Sequence, residues 1–507
     1  MLRKIRITLA LMFFFGITAI FLDFTGTVHC WLGWMAKIQF LPAVLALNVG
    51  IIIALIALTL IFGRIYCSVI CPLGVMQDIV SWLSSRRRRM KYRFSYSPQL
   101  KWLRYTVVVL FVIAFVASVG SFVALVAPYS AYGRIAQNLF APLYQWGNNL
   151  LAYLAERADS YSFYSTEVWI RSIPTFVIAA LTFVVLFVIA WRSGRTYCNT
   201  ICPVGTVLGF MSRYSFFKLR IDESKCVNCG LCSRQCKASC IDGKNHTIDY
   251  SRCVTCMDCI GACTHNAISY APPRKVGTSD VAANNQHTTA KADSKPGYDA
   301  ARRNFITVTA ITAAGIALKA KEKKVDGGLA VIEDKKVPSR KTPVVPAGAL
   351  SLKHMAQHCT ACQLCVGVCP EGILRPSTDA LTFMQPRLEF ENGFCRTSCN
   401  KCSQVCPTGA IRPISLEEKT SVRIGHAVWI RQNCLVLTEG VTCGNCARHC
   451  PAGAIVMVPS DPQNSGSPKV PAVNPEKCIG CGKCEYVCPA RPFSAIYVEG
   501  NSVHSLK

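Results

Sequence analysis

Four long apolar runs punctuate the first 215 residues, near positions 5–22, 40–62, 103–127 and 173–191. Each is long enough, or nearly so, to cross a hydrocarbon core of about 30 Å as a helix. Basic clusters border them at MLRKIR, at RRRRMKYR (Arg86 to Arg93) and at WRSGR. If the runs alternate in direction, all three clusters fall on one side, which the positive-inside rule makes the cytoplasm. The loop at 128–171 and the short loop carrying His29 and Cys30 are then outside.

After residue 215 the long runs stop and short cysteine-rich segments take over. Residues 273–300 are polar without apolar periodicity, which predicts a flexible linker. Residues 301–320, ARRNFITVTAITAAGIALKA, place Arg302 and Arg303 ahead of a short stretch of small apolar residues. This segment is similar to a twin-arginine export signal, or is a fifth span; the bland alternative is an amphipathic or buried helix. The following KAKEKK opposes the charge rule for a crossing. A Pro-rich strap over 321–350 leads into the last third of the chain.

Composition sharpens this picture. Of the 507 residues 51% are hydrophobic, which suits membrane spans, and the net charge of +27 sits largely beside the apolar runs. A nucleic-acid partner is therefore not expected. Thirty cysteines would suggest disulfides in a secreted protein, but here their spacing is that of metal ligands.

Sixteen cysteines in four groups fill the stretch from His358 to Pro489. The first (Cys359, Cys362, Cys365, Cys369) and the last (Cys478, Cys481, Cys484, Cys488) follow C-x2-C-x2-C-x3-C-P, the spacing of bacterial ferredoxins. The middle groups are variants: Cys395, Cys399, Cys402 and Cys406, then Cys434 followed by Cys443, Cys446 and Cys450. In such loops three thiolates hold one 4Fe–4S cube, and the cysteine before proline serves another. Four groups in series make zinc or disulfides improbable.

An earlier unit supplies Cys226, Cys229, Cys232, Cys236 and Cys240, then Cys253, Cys256, Cys259 and Cys263. By the usual exchange, Cys263 completes the first cube and Cys236 the second. Lys237 replaces the usual proline after Cys236, and Cys240 is the alternative to Cys236 as the remote ligand. Six 4Fe–4S clusters on 24 cysteines are thus expected.

The apolar runs also carry a repeat: GRIYCSVICPLG (63–74) leaves the second run and GRTYCNTICPVG (194–205) the fourth. Each gives a C-x3-C-P pair, Cys67 with Cys71 and Cys198 with Cys202. If the helix continues through each pair, its cysteines share a face and four thiols can meet at the cytoplasmic boundary. They form either an additional redox site or a helix-ending packing signature. The runs contain no histidine and the chain no C-x-x-C-H, so no haem is expected. His29 beside Cys30 either meets a quinol head group at the outer surface or is plain loop.

The expected fold is an α-helical membrane domain with four spans and a possible fifth, plus two bacterial-ferredoxin-like α+β 4Fe–4S units. The domains run 1–215 (membrane), 216–272 (two-cluster ferredoxin), 273–300 (linker), 301–320 (signal-like segment or fifth span), 321–350 (strap) and 351–507 (four-cluster ferredoxin).

Residues 1–272, with their C-x3-C-P exits and trailing two-cluster ferredoxin, resemble the NapH membrane ferredoxins, and in part those of the NosR and CcoG kind. Residues from about 300 resemble the NapG type, through the twin arginines, PAGAL before the first group and RIGHAVWIRQNCLVLTEGVTCGNCARHCP around Cys434. The resemblance implies a fusion of two usually separate subunits of a quinol dehydrogenase in a bacterial inner membrane. Electrons would pass from the quinone pool to a periplasmic redox protein or reductase, with the first ferredoxin unit cytoplasmic and the second periplasmic. The family pairing implied within residues 351–507 joins the first cysteine group with the fourth and the second with the third. The alternative function is an electron-donating maturation or regulatory factor for another metalloenzyme.

Overall fold

The computed structural model describes residues 2–23, 25–86, 94–160, 163–166, 168, 172–272, 333–464 and 466–506. The twin arginines, the possible fifth span, the 273–300 linker and most of the RRRRMKYR cluster lie outside the described residues.

Two helices are long and apolar enough to cross a membrane, Leu2–Leu22 and Ile173–Ser193. The other two predicted spans are each broken. The second divides into Phe40–Leu45 and Val49–Phe62, with Leu47 left-handed (φ 52°). Asn48 restarts the helix by accepting the Ile51 N–H. The third divides into Lys101–Val116 and Gly120–Val126 around Ser118 (φ 59°). Hydropathy alone does not register such breaks, because the residues at them are apolar or small.

The segment after the third run, expected as an outer loop, is largely helical. Pro128–Ile135 opens with proline in its first turn and is buried along its whole length. Its Tyr129 and Tyr132 rings pack on Phe21 of the first helix.

The first ferredoxin unit closes with the antiparallel pair Lys218–Ile221 and Ile268–Ala271. The second is built on three short antiparallel pairs. These join Leu374–Pro376 to Pro386–Leu388, Val422–Trp429 to Ile496–Leu506, and Ile455–Pro459 to Lys469–Val473.

The two ferredoxin units dock at opposite ends of the first helix. At its start, Arg3 bonds Asp258 at 2.8 Å, and Arg6 bonds Asp78 at 3.0 Å, a carboxylate that also faces Lys237 at 3.5 Å. Just beyond its end, Lys401 Nζ donates to the Thr25 carbonyl at 2.9 Å. Nearby, Asn138 donates to Gln363 at 2.8 Å. A helix of 21 residues is about 30 Å long, the thickness of a hydrocarbon core. One apolar core runs from Ile17 and Phe21 through Tyr66 and Tyr129 to Cys362 and Leu364, so the bundle and the second ferredoxin unit are packed as one body.

Candidate metal centres

In the second ferredoxin unit the cysteines line two cavities. One is walled by Cys369, Cys395, Cys399 and Cys402, the other by Cys434, Cys443, Cys446 and Cys488. The remaining eight form two further neighbourhoods: Cys406 lies beside Cys359, Cys362 and Cys365, and Cys450 beside Cys478 and Cys481, which also adjoin Cys484. The pairing is therefore first group with second and third with fourth, not first with fourth and second with third. The strands set this. The 374–376/386–388 ladder folds the second group back onto the first, and the 455–459/469–473 ladder folds the fourth onto the third.

The donor set fits iron–sulfur clusters. In four of the six loops the remote cysteine receives a backbone N–H: Ala267 to Cys263, Ala454 to Cys450 and Ala495 to Cys488, each at 3.3 Å, and Ile411 to Cys406 at 3.5 Å. Amide donors of this kind stabilise cluster thiolates and adjust their potential. Burial pushes the Cys362 and Cys402 thiols up to about 12, and Cys446 and Cys481 up to about 11. Metal loading must therefore displace their protons.

In the first unit Cys226, Cys229, Cys232 and Cys263 line one cavity. Cys236 and Cys240 both sit at the other site, their sulfurs 3.5 Å apart. The hydrogen bond between them lowers Cys236 and raises Cys240. Lys237 has a distinct task. Its buried ammonium lies 2.8 Å from Asp258 and 3.5 Å from Asp78, pinning the unit to the helical bundle.

The repeated motifs do not continue as helices. Cys67 sits in Ile65–Val69, whereas Cys71 is extended and opens Pro72–Ser85; Cys198 and Cys202 repeat this in Thr196–Thr200 and Pro203–Ser212. All four thiols are buried and share one electrostatic neighbourhood. The halves interlock by exchanging arginines. Arg64 crosses to Asn199 Oδ1 (2.9 Å) and the Cys198 carbonyl (3.2 Å). Arg195 crosses to the Cys67 carbonyl (2.6 Å) and to both oxygens of Asp78 (2.9 and 2.8 Å). A Cβ on Gly74 would stand 2.3 Å from the Cys67 carbonyl oxygen, and one on Gly205 the same distance from that of Cys198. Only glycine leaves room there. These arginines escaped the sequence reading, although the repeat advertised them: both motifs begin Gly-Arg-x-Tyr-Cys.

Two tyrosines lie between this cysteine cluster and the second ferredoxin unit. Tyr66, next to Cys67, and the Cys362 and Cys406 thiols all bear electrostatically on the buried Tyr129. His29 is half-buried against the backbone of Gln404, in the helix Lys401–Val405 that also carries Cys402. Cys30 is exposed.

Comparisons with known proteins agree with this cysteine chemistry. A 4Fe-4S binding domain model matches residues 45–91 and 175–222, the two segments that contain the exchanged arginines. Two 4Fe-4S dicluster domain models match residues 358–411 and 441–491, the same divisions as the observed pairing. The putative electron transport protein YccM of Escherichia coli is 23% identical over 199 residues, 39% of this chain and 47% of that protein. The methylamine utilization ferredoxin-type protein MauN of Methylobacillus flagellatus is 25% identical over 175 residues, 34% of this chain and 48% of its own. The ferredoxin-type protein NapH of Haemophilus influenzae is 26% identical over 197 residues, 39% of this chain and 55% of its own. The chain thus spans about half the length of each of these relatives. No solved structure matches it. The chain therefore carries segments that match 4Fe-4S binding domains and is related at low identity to the ferredoxin-type proteins NapH and MauN and to the putative electron transport protein YccM.

Proposed function

We propose that this protein oxidises quinol in a bacterial inner membrane and delivers the electrons to a periplasmic redox protein or reductase, as a NapH-like and a NapG-like part in one chain. Six 4Fe–4S clusters are carried, two in the cytoplasmic unit and four in the periplasmic one. In the cytoplasmic unit Cys236, rather than Cys240, completes the second set. The observation that carries this reading is the docking of cysteine-rich units at opposite ends of a helix about one hydrocarbon core long.

Quinol oxidation releases two electrons and two protons, so its site needs a proton acceptor beside a one-electron carrier. His29 meets the first need. Burial pulls its imidazole below the ordinary value, so the ring is neutral, and its buried Nδ1 has no hydrogen-bond partner and is open to accept a proton. It stands against Gln404, between Cys402 and Cys406 in sequence, where a bound cluster would supply one-electron chemistry.

The test uses the loaded protein in liposomes. Menaquinol or ubiquinol analogues should bleach the cluster absorbance, and His29→Gln should slow that step while leaving reduction by dithionite unchanged. Clusters that stay oxidised with every quinol would end this reading in favour of an electron-donating maturation factor.

A further inference from the structure

The repeated motifs bring two fully buried arginines to four buried thiols, but the two cations are not treated alike. Arg195 is paired with Asp78 through both carboxylate oxygens. Arg64 has no such anion among the described residues. Its guanidinium reaches Asn199 Oδ1 at 2.9 Å, the Ser251 carbonyl at 3.0 Å and the Cys198 carbonyl at 3.2 Å, all neutral, and the Cys67 sulfur at 3.7 Å. Its Nε is buried without a partner. A buried cation is costly unless an opposite charge is close. Among the described residues, the groups beside Arg64 that can supply one are thiols, once deprotonated: Cys67 and Cys198 of this cluster, and Cys253 of the first ferredoxin unit.

We propose that Cys67, Cys71, Cys198 and Cys202 hold one further iron–sulfur cluster, and that Arg64 is its counter-charge and sets its potential. Four thiolates and a cluster form an anion, which answers the unpaired cation. Loading releases the four thiol protons; in use the centre gains or loses one electron with no bond made or broken. No group of histidine, cysteine or acidic side chains among the described residues converges tightly enough for a single metal ion, and this holds equally for the ferredoxin loops. Arg64 also touches Ser251, two residues before Cys253, so the centre adjoins the inner site of the first ferredoxin unit. The proposal does not depend on quinol as the donor.

The experiment uses the full chain, purified with its metals, and reads iron and sulfide content and an EPR-monitored redox titration. Cys71→Ser with Cys202→Ser should lose about four irons per chain, the content of one cube, with the ferredoxin signals retained. Unchanged iron, or zinc in place of iron in the wild type, would overturn the site. Arg64→Gln should move one EPR signal to a more negative potential, because a positive charge that favours the reduced form is gone. Arg64→Lys should restore most of that shift, and Arg195→Gln should shift the signal less, since Asp78 already offsets its charge. If Arg64→Gln yields no folded protein, Asp78→Asn decides: exposing the Arg195 charge should move the signal positively. No movement in either variant, or equal movement for Arg64→Gln and Arg64→Lys, would reduce Arg64 to a structural contact.

Discussion

The backbone N–H of Cys395 donates to the carbonyl of Cys481 at 2.9 Å, joining the first pair of cysteine groups to the second. Cys395 belongs with Cys369, Cys399 and Cys402, and Cys481 with Cys450 and Cys478. The centres of the second ferredoxin unit therefore follow in a row. The set containing Cys362 lies nearest the helical bundle, and the set containing Cys443 and Cys488 lies furthest along.

The pairing gives a non-additive signature. Cys362→Ala and Cys406→Ala should each remove the same cube, about four irons, and the double variant should lose no more than either single one. Cys481→Ala should leave the centre at Cys369 intact. Iron analysis with EPR of the three variants checks this, and additive losses would refute the shared centre.

Topology follows from the contacts at the two ends of the first helix. Reporter fusions placed after Tyr270 and at Lys507 should report opposite compartments. The same compartment for both would remove the transmembrane placement of Leu2–Leu22 between the two units.

The strap before the second unit is fastened by a buried ion pair. Arg340 donates to Glu485 at 2.5 Å, and the other Glu485 oxygen accepts the Val498 N–H at 2.9 Å. Glu485→Ala strands the arginine and should cost about 3–5 kcal/mol. Thermal unfolding should show the loss, and replacing both partners by methionine should recover much of it.

Acid should weaken the second unit through His504. Burial pulls its imidazole down to about 4, and neither ring nitrogen has a hydrogen-bond partner. The unfolded chain takes up this proton near pH 6.5, whereas the folded chain does so only near 4. Stability from this group therefore falls as pH drops from about 6.5 to about 4 and levels off below. Melting curves of the wild type across that range should fall more steeply than those of His504→Leu.

The candidate ligand cysteines could be picked out of the sequence because most of them recur three residues apart in short loops. Their partners were less so: where Cys369 or Cys406 goes depends on strands that the loop itself does not contain. The breaks at Leu47 and Ser118 were hidden because neither is glycine or proline, yet both take a left-handed backbone conformation. Lys237 stood out as an anomaly, yet its use could be read only with Asp78, 159 positions earlier, in place.

The crossed arginines also have a bearing on the order in which the chain is made. Arg64 finds its carbonyl acceptor at Cys198, 134 residues later, and Arg195 reaches back 128 residues to Cys67. While a ribosome is still synthesising the intervening helices, the first motif has its cysteines but lacks the Arg195 contact to the Cys67 carbonyl. Neither crossed contact can form until the second motif, residues 194–205, has been made.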